Sequence, residues 1–374
     1  MRILFDGRIF TARATGITTY AIDAIRAIWK YLDWEIVIAS PSAIHKSIEG
    51  LPEDKRIRYV VAPIPWWKNA KYKIWYNFYY PHLAKKYKVD MIWSPTPTLP
   101  FIYPKHIKAM VTVHDVVDIE FKSTEKKKTI GKFFESTKRD ICRADYLWCN
   151  SHYTEDKVNQ YYPLRKQKGI VVGDGCNTRY RKIVIPDAKR ESIYKAFNID
   201  KGFYLFVGTL EPRKNLKFLL QLVPEIYKKT GCKLLVVGGR GWKNSDIRSV
   251  VESNPIYEKA VTFCGYLSNE ELVELYNTSL CYVSTALNEG FGMPQLEAMN
   301  CGCPVISPHN SAMIEVVQGR GVTIEGWDRQ NWIDHIVRML TDDEYRSKFK
   351  NSDTSEYNWE NIITRVNFYI KERS

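Results

Sequence analysis

The sequence predicts an α/β protein built from two Rossmann-like domains, each a doubly wound parallel sheet. Short apolar runs alternate with amphipathic stretches along the whole chain, and the alternation falls into two successive sets. Strand and helix in turn is the pattern of a parallel sheet with helices on both faces. A chain of 374 residues is also too long for one typical core. Both observations favour two domains of ordinary size.

The first set contains candidate strands at Ile3–Phe5, Glu35–Ala39, Arg58–Val61, Met91–Trp93, Ala109–Val113, Tyr146–Cys149 and Ile170–Val172. The second set contains candidate strands at Tyr204–Val207, Lys233–Val237, Val261–Phe263, Leu280–Val283, Pro304–Ile306 and Val322–Ile324. Helical patterns lie between the strands at Thr18–Tyr31, Leu216–Lys229, Asn269–Asn277 and Gln330–Leu340.

A polar segment at Arg179–Asp187, with a proline just before the second strand set, predicts the domain boundary. We therefore expect an N-terminal domain over residues 1–185 and a C-terminal domain over residues 186–357. A last helical pattern, near Asn358–Lys371, comes after the strands of the second domain. We expect this C-terminal helix, residues 358–374, to pack back on the first domain.

Composition excludes several classes of protein. No stretch reaches the eighteen apolar residues of a membrane-spanning helix, and the N-terminus has no signal core, so we expect a cytoplasmic protein. The eight cysteines are irregularly spaced without a C-x-x-C pair, which is typical of buried thiols in a reducing compartment. We therefore expect no structural zinc. The sequence also contains no Asp-x-Asp motif, so a metal held by that motif is not indicated.

A formal net charge of +13 implies attraction to something negative. Nucleic acid, an anionic membrane surface and a charged nucleotide are the candidate partners. No zinc finger, helix-turn-helix or aromatic RNA-binding signature occurs, so we do not expect nucleic acid.

The most informative motif is the segment Asn288–Met299, which follows a predicted strand. Its glycine-containing loop leads into a helix through Pro294, and backbone N–H groups at a helix N-terminus suit a diphosphate. Glu289 in the loop and Glu297 one turn into the helix can both face one ligand, and carboxylates are natural partners for ribose and hexose hydroxyls. The alternative is an ordinary helix N-terminus with a favourable acid. The loop residues expected at the ligand are Gly290, Phe291, Gly292 and Met293.

A second motif, Val207–Asn215, ends the first strand of the second domain. Gly208 follows the strand, and Arg213 and Lys214 lie where the next helix begins. Positive charge is unfavourable at a helix N-terminus, so the placement makes sense if an anion binds there. A solvated basic turn is the alternative.

His114 and Asp115 end a strand of the first domain. A histidine at this edge could donate to a sugar hydroxyl or assist proton movement. The alternative is a structural histidine that pairs with Asp115.

Glycine-containing turns follow three further strands. Gly16 precedes the helix near Thr18, where its backbone could approach a phosphate closely. The segment Gly238–Asn244 lacks the spacing of a P-loop and is typical of a loop near a base. Gly265 and Tyr266 could likewise contact a base through backbone groups.

An aromatic and basic stretch extends from Trp66 and Trp67 to Lys88. It could contact a membrane surface or form a stacking platform for a glycan. An amphipathic helix whose aromatic residues are mostly in the core is the favoured alternative.

Taken together, these residues resemble the family-4 retaining glycosyltransferases of GT-B architecture, and among them most closely the mannosyltransferases. Glu289 and Glu297 match the paired glutamates of that family, Arg213 and Lys214 match its basic pair, and His114 matches its cleft histidine. Further matches are Ser151–Thr154, Pro304–Ser307, Glu315 and Trp359. Two positions depart from the family pattern: Ala14 and Thr15 stand where adjacent glycines are common, and Thr209 replaces a basic residue.

The resemblance implies a hexosyltransferase that retains anomeric configuration and needs no metal or other cofactor. Its donor would be a nucleotide-sugar, and GDP-mannose is the first candidate. A donor such as UDP-glucose or UDP-GlcNAc is the alternative within the same fold. A non-catalytic, basic polyanion-binding protein is the alternative from another class. The implied acceptor is a glycan, free or linked to lipid or protein, and a lipid-linked one would bring peripheral membrane contact. A homodimer is the default expectation for the assembly.

Overall fold

A computed structural model describes residues 1–13, 15–63, 71–115, 127–163, 170–239 and 245–372. The chain forms two compact units. Unit 1 comprises Met1–Gly175 together with Tyr357–Ser374, and unit 2 comprises Cys176–Glu356. Each unit is built on one parallel sheet.

The sheet of unit 1 has the order β3-β2-β1-β4-β5-β6-β7, and every recorded strand pair is parallel. Its strands are β1 Arg2–Asp6, β2 Glu35–Ser40, β3 Ile57–Val61, β4 Met91–Ser94, β5 Lys108–Val113, β6 Tyr146–Cys149 and β7 Ile170–Val171. Its helices are α1 Gly16–Tyr31, α2 Lys71–Ile74, α3 Tyr80–Lys86, α4 Lys127–Arg143, α5 His152–Tyr161 and, from the C-terminus of the chain, Trp359–Glu372. A π-helical turn, Trp75–Tyr79, joins α2 to α3.

Alternation along the strands places a core on each face of this sheet. In β1, Ile3 and Phe5 pack with α1 and with the C-terminal helix, whereas Leu4 packs with α3 on the other face. This is the period of two expected for a strand buried on both sides. The C-terminal helix packs directly on α1, and Trp359 at its start contacts Gly175.

The sheet of unit 2 has the order β10-β9-β8-β11-β12-β13, again with parallel pairs. Its strands are β8 Phe203–Val207, β9 Lys233–Val237, β10 Val261–Gly265, β11 Cys281–Val283, β12 Val305–Pro308 and β13 Val322–Ile324. Its helices are α6 Asp187–Ala196, α7 Leu216–Thr230, α8 Ser245–Glu252, α9 Ile256–Ala260, α10 Asn269–Thr278, α11 Met293–Asn300, α12 Met313–Val317, α13 Arg329–Thr341 and α14 Asp343–Ser347, so that the C-terminal helix of unit 1 is α15.

The core of unit 2 joins its central strands to α7 and α13. Leu219, Leu220 and Val223 present the apolar face of α7, and Trp332 of α13 is fully buried beside them. An amphipathic helix is stable in a protein chiefly because its apolar face is buried, since helix propensity alone does not stabilise a helix of this length. The strand order equals that of a dinucleotide-binding Rossmann sheet.

The predicted fold class is confirmed, since both units are parallel sheets with helices. Each predicted strand has a counterpart within two residues at either end, and the predicted helices near Thr18, Leu216, Asn269, Gln330 and Asn358 are present. Trp66 and Trp67 of the aromatic stretch, and residues 240–244 of the glycine segment, lie outside the described residues. Within the described part of the chain, no helix is long and apolar enough to cross a membrane.

The described part of the aromatic stretch divides between core and surface. Trp75, Tyr76 and Tyr80 are buried, as the core alternative predicts. Phe78 and Tyr79 are exposed, with 70% and 40% of their surface open to solvent. The core alternative therefore accounts for three of these five aromatic residues.

Replacement of Gly175 by alanine tests the packing of α15 in unit 1. A Cβ at this position would lie 2.3 Å from the Trp359 ring, which is 8% exposed and cannot retreat without moving α15. We expect Gly175→Ala to lower the free energy of unfolding by about 1–3 kcal/mol, the usual cost of overpacking. Urea denaturation measures it. Gly16→Ala is the matched control, since no described residue has an atom within 4 Å of that Cβ. Equal midpoints for the two variants would contradict the packing account.

Candidate functional site

The candidate site in unit 2 lies at the carboxyl edge of its sheet, where β8 and β11 are neighbours. On one side of the sheet, the strands follow in chain order from β8 to β9 and β10, and on the other side they follow from β11 to β12 and β13. The strand order therefore reverses between β8 and β11. In doubly wound sheets, ligands bind in the crevice that opens at such a reversal. The segments after β8 and β11 therefore define the site.

Gly208 ends β8 and belongs to a cluster of backbone turns. Its N–H donates to the Val237 carbonyl at 2.9 Å, and the N–H of Gly238 donates to the Gly265 carbonyl at 2.8 Å. A Cβ on Gly238 would lie 2.1 Å from the carbonyl oxygen of Gly208, and its φ is 140°. Only glycine permits such an approach at that angle. The fold thus brings Gly208 and Gly265 together.

Tyr266 follows this cluster and packs on it. A Cβ added to Gly239 would lie 2.0 Å from the Tyr266 ring, so the ring rests on bare backbone. The side chain is nevertheless 74% exposed. A broad aromatic surface beside a glycine turn can stack against a planar ring of a ligand.

The basic pair occupies a short 3-10 turn, Pro212–Lys214, between β8 and α7. The hydroxyl of Thr285 donates to the carbonyl oxygens of Lys214 and Asn215, at 3.2 and 3.1 Å. The N–H of Leu287 donates to the Arg213 carbonyl at 2.8 Å. The segment after β11 therefore holds the backbone of the basic turn in place.

Glu289 lies between the two cations. Nη1 of Arg213 donates to Glu289 Oε2 and to the Asn288 carbonyl, at 2.7 Å each. Nζ of Lys214 bonds to the other carboxylate oxygen, Oε1. Glu289 is only 8% exposed, so these are charge-assisted bonds at a largely desolvated carboxylate. The three side chains, hereafter the ion triad, carry a net charge of about +1 by their ordinary ionisation.

The charges of the triad decide the ionisation of Glu289. Burial by itself would raise the pKa of the Glu289 carboxyl, but the adjacent Lys214 and Arg213 charges outweigh it. The pKa is therefore lowered, and the carboxylate stays ionised at neutral pH. An arriving anion meets cations that are already oriented.

The loop after Glu289 opens α11. The predicted ligand residues Gly290, Phe291 and Gly292 are buried, and Met293 is half-buried as the first residue of α11. Gly292 is the N-cap, with φ of 107°, and Pro294 is the second residue of the helix. The first N–H groups of any helix lack intrahelical partners and carry partial positive charge. This end of α11 follows the ion triad directly along the chain.

Glu297 is half-buried in α11, beside Tyr276. The Tyr276 hydroxyl lies 3.5 Å from Glu297 Oε2 and 3.4 Å from the Pro294 carbonyl. Burial raises the pKa of Tyr282, and the charges of Glu289 and Glu297 both add to the increase. The charges of both glutamates therefore act on the Tyr282 hydroxyl.

In unit 1, His114 follows β5 at the carboxyl edge of the sheet. Because a carbonyl accepts, Nε2–H of His114 donates to the Pro95 carbonyl at 3.0 Å. Nδ1 lies 4.0 Å from Oδ2 of Asp174, and the Tyr20 ring contacts the imidazole edge-on at 4.5 Å. The imidazole therefore lies beside the buried carboxyl of Asp174.

Burial dominates both ionisations in this pair. It lowers the pKa of His114, against the attraction of Asp174, and it raises the pKa of Asp174, against the attraction of His114. The imidazole is therefore neutral at neutral pH. Asn150 also belongs to the group, since its amide donates to the His114 carbonyl at 2.7 Å.

Gly16 is the first residue of α1 and is exposed. Among the described residues, no atom lies within 4 Å of a Cβ built at this position. The described residues of both units contain no group of three side chains able to hold a metal ion.

Several residues of these groups escaped the sequence analysis. Asp174 lies far from His114 in sequence, and Thr285 and Ser311 act on backbone groups of other loops: Ser311 Oγ accepts from the Glu289 N–H at 3.1 Å. Gln295 is fully buried, and neither polar atom of its amide has a hydrogen-bond partner among the described residues. Gln295 lies within the Asn288–Met299 motif, but only the structure shows that its amide is buried.

Comparison with known proteins gives a consistent result. The family described as Glycosyltransferase Family 4 matches residues 14–180, and Glycosyl transferases group 1 matches residues 189–355. O-antigen chain mannosyltransferase B of Escherichia coli is 26% identical over 271 residues, 70% of each chain. O-antigen chain mannosyltransferase RfbU of Salmonella typhimurium is 22% identical over 369 residues, 96% of each. The structure of Anabaena Alr3699/HepE in complex with UDP-glucose superposes with a TM-score of 0.76 at 16% identity, over 100% of both chains.

Glu289→Gln tests the ion triad through its pH dependence. The lowered pKa means that the ionised carboxylate stabilises the fold above the ordinary glutamate value of 4.5, and that this stabilisation is lost as pH falls through the lowered pKa. We expect the variant to be less stable by about 3 kcal/mol at neutral pH, the scale of a broken buried ion pair. Chemical denaturation at a series of pH values measures the difference, which should shrink below pH 4.5.

The matched control is Glu225→Gln, which breaks a solvent-exposed pair with Lys229. Exposed pairs of this kind contribute about 0.3–0.5 kcal/mol. A Glu289→Gln penalty no larger than the control, or one independent of pH, would contradict the account of the triad.

Proposed function

Because the chain belongs to the family-4 glycosyltransferases of GT-B architecture, we propose that it is a retaining, metal-independent hexosyltransferase that moves mannose from GDP-mannose to a glycan or glycoconjugate. One observation carries the proposal. The ion triad of Arg213, Lys214 and Glu289 lies at the switch point of unit 2 and leads directly into the N-terminus of α11. Such an arrangement suits a ligand that combines a diphosphate with hydroxyl-rich rings.

The leaving nucleoside diphosphate gathers negative charge as the bond to the anomeric carbon breaks. Arg213, Lys214 and the first N–H groups of α11 stabilise that charge with donors that are oriented beforehand, so no reorganisation is needed during the reaction. Cationic side chains and a helix end can perform the electrostatic role of a metal ion in this step. Stabilisation of the leaving group by these side chains and N–H groups supports the proposal that no metal is needed.

The two glutamates then serve the sugar rings. We propose that Glu297 accepts from the ribose hydroxyls and that Glu289, while it orients the cations, accepts from a hydroxyl of the transferred hexose. His114 orients the same hexose. As a neutral imidazole whose Nε2–H is bonded to the Pro95 carbonyl, it presents Nδ1 as an acceptor for a sugar hydroxyl and adds no positive charge beside the reacting carbon. Retention follows if the leaving phosphate takes the acceptor's proton on the same face.

The remaining donor-site residues frame the nucleotide. We propose that Tyr266, which packs on Gly239 and is exposed, stacks against the base. We also propose that the glycines in the turns allow the backbone to approach the ligand closely. Expected positions of this kind are Gly16, Gly208, Gly265, Gly290, Phe291, Gly292 and Met293.

The choice of mannose rests on two similar proteins, whose names describe them as O-antigen chain mannosyltransferases. UDP-glucose is the second candidate, because the superposed Anabaena structure is titled as a complex with that donor. We assign the donor to residues 186–357 and the acceptor to residues 1–185 with residues 358–374. The acceptor is a glycan, free or carried on protein or lipid, and a lipid carrier would draw the protein to a membrane surface. A homodimer is the proposed assembly.

Calorimetric titration with a panel of GDP- and UDP-sugars tests the donor assignment. We expect GDP-mannose to bind most tightly, and the product of a preparative reaction to show retained anomeric configuration by NMR. Tightest binding of UDP-glucose or UDP-GlcNAc would replace the donor while keeping the transferase. Failure of every nucleotide-sugar to bind, together with salt-dependent binding of DNA or RNA, would favour the polyanion-binding alternative.

Lys214→Gln tests the catalytic role of the triad. Loss of one preorganised donor costs about 3–4 kcal/mol in the transition state, so we expect kcat/KM for the donor to fall roughly a hundredfold to a thousandfold. Lys228→Gln, on the exposed end of α7, is the matched control and should keep wild-type kinetics. Each assay is run with and without EDTA, and a strict requirement for magnesium or manganese would overturn the metal-independent mechanism.

A further inference from the structure

The positive charge of the protein is concentrated in unit 1. Lys and Arg outnumber Asp and Glu by 32 to 20 in unit 1, but only by 23 to 22 in unit 2. Twelve of the thirteen net positive charges therefore lie in the unit that does not contain the ion triad. The donor site of unit 2 does not account for them.

The excess is greatest in residues 55–89, which contain nine Lys and Arg and no Asp or Glu. The ends of this segment meet at a pocket of about 440 Å³. The pocket lies at the amino ends of β1, β2 and β3, the opposite sheet edge from His114 and Gly16. Its lining is formed by Arg2, Glu35, Ile36, Val37, Lys55, Arg56, Arg58, Lys86, Tyr87 and Lys88.

The single acid of this lining is already neutralised. Glu35 bonds to Arg2 Nη2 at 2.8 Å and to Arg2 Nε at 2.9 Å. Arg56 is also occupied, because its two terminal nitrogens donate to the Leu32 and Trp29 carbonyls at 2.8 and 2.6 Å. The remaining cations have no acidic partner within the described part of the chain: Lys55, Arg58, Lys86 and Lys88.

Tyr87 holds two of these cations in place. The Arg58 guanidinium lies 5.6 Å from the centre of the Tyr87 ring, and the Lys86 ammonium lies 5.7 Å from it, both within cation–π range. The backbone of Tyr87 is fixed in turn, since its carbonyl accepts from Arg2 Nη1 at 3.0 Å. Lys88 follows with φ of 49°, a left-handed conformation that directs the chain around the pocket.

Four like charges around one concavity repel each other, and the wall of the pocket focuses their potential. An anion that enters removes this repulsion. The combination of a guanidinium fork with ammonium groups matches phosphate oxygens, which accept several charge-assisted hydrogen bonds at once. We propose that this basic pocket of unit 1 is a second anion site, which binds a phosphate-bearing ligand: a phospholipid headgroup or a free phosphoryl compound.

Inorganic phosphate is the first probe, measured by calorimetry on the full chain. The Lys214→Gln background weakens anion binding at unit 2, so the remaining heat reports on unit 1. We expect Arg58→Gln and Lys88→Gln to weaken the affinity roughly fivefold each, the effect of about 1 kcal/mol per cation. Lys85→Gln is the matched control, because Lys85 is exposed on α3 beside the pocket residue Lys86 but does not itself line the pocket.

Co-sedimentation with phosphatidylcholine vesicles, with and without phosphatidylglycerol, is the second arm. Binding to the anionic vesicles that falls in the Arg58 and Lys88 variants, but not in Lys85→Gln, supports the site and identifies a lipid headgroup. The same pattern with inorganic phosphate alone supports the site and identifies a free phosphoryl ligand. No binding in either arm, or an equal loss in Lys85→Gln, overturns the proposal.

Tyr87→Leu separates the pocket from generic surface charge. It keeps all four cations but removes the ring that positions two of them, so we expect weaker anion binding at unchanged net charge. Unchanged binding would contradict the preorganised pocket. Thermal unfolding of each variant confirms that it is folded. Donor kinetics at unit 2 are an independent readout, so failure of this proposal leaves the transferase assignment intact, and the reverse holds.

Discussion

The contact on which the candidate site of unit 2 depends is the one between the buried Glu289 carboxylate and its two cations. Without Glu289, Arg213 and Lys214 would repel each other at a helix N-terminus, where positive charge is already unfavourable. With it, both side chains are held at defined positions and one net positive charge remains for a ligand. In the proposed reaction, these cations would need no reorientation when the leaving group develops charge.

This contact exists because the topology of unit 2 brings two distant loops together. The basic turn follows β8 and Glu289 follows β11, and these parallel strands are neighbours because the strand order of the sheet reverses between them. Two hydrogen bonds then set the register of the loops: the Leu287 N–H donates to the Arg213 carbonyl, and the Thr285 hydroxyl donates to the Lys214 carbonyl. Glycine at position 238 allows the turn after β9 to approach β8 closely enough to complete the edge.

Unit 1 shares the sheet architecture but has a different electrostatic character. Its carboxyl edge carries a neutral His114 beside a buried acid, which suits the orientation of an uncharged sugar. Its amino edge carries more cations than acids, which suits an anion. The two edges of this sheet therefore differ in charge, and the net positive charge of the chain lies almost entirely in unit 1 rather than in unit 2.

The sequence by itself determined the fold class, the strands of both sheets and the residue types of the site, because periodicity and strand-end motifs are local properties of a chain. Only the tertiary structure decided which groups meet. Glu289 was expected to face hydroxyls, and its bonds to Arg213 and Lys214 cross about 75 residues of sequence. Asp174 approaches His114 across 60 positions, and Phe78 and Tyr79 of the aromatic stretch are exposed to solvent. Such contacts depend on packing between elements, which a periodic pattern along one segment does not encode.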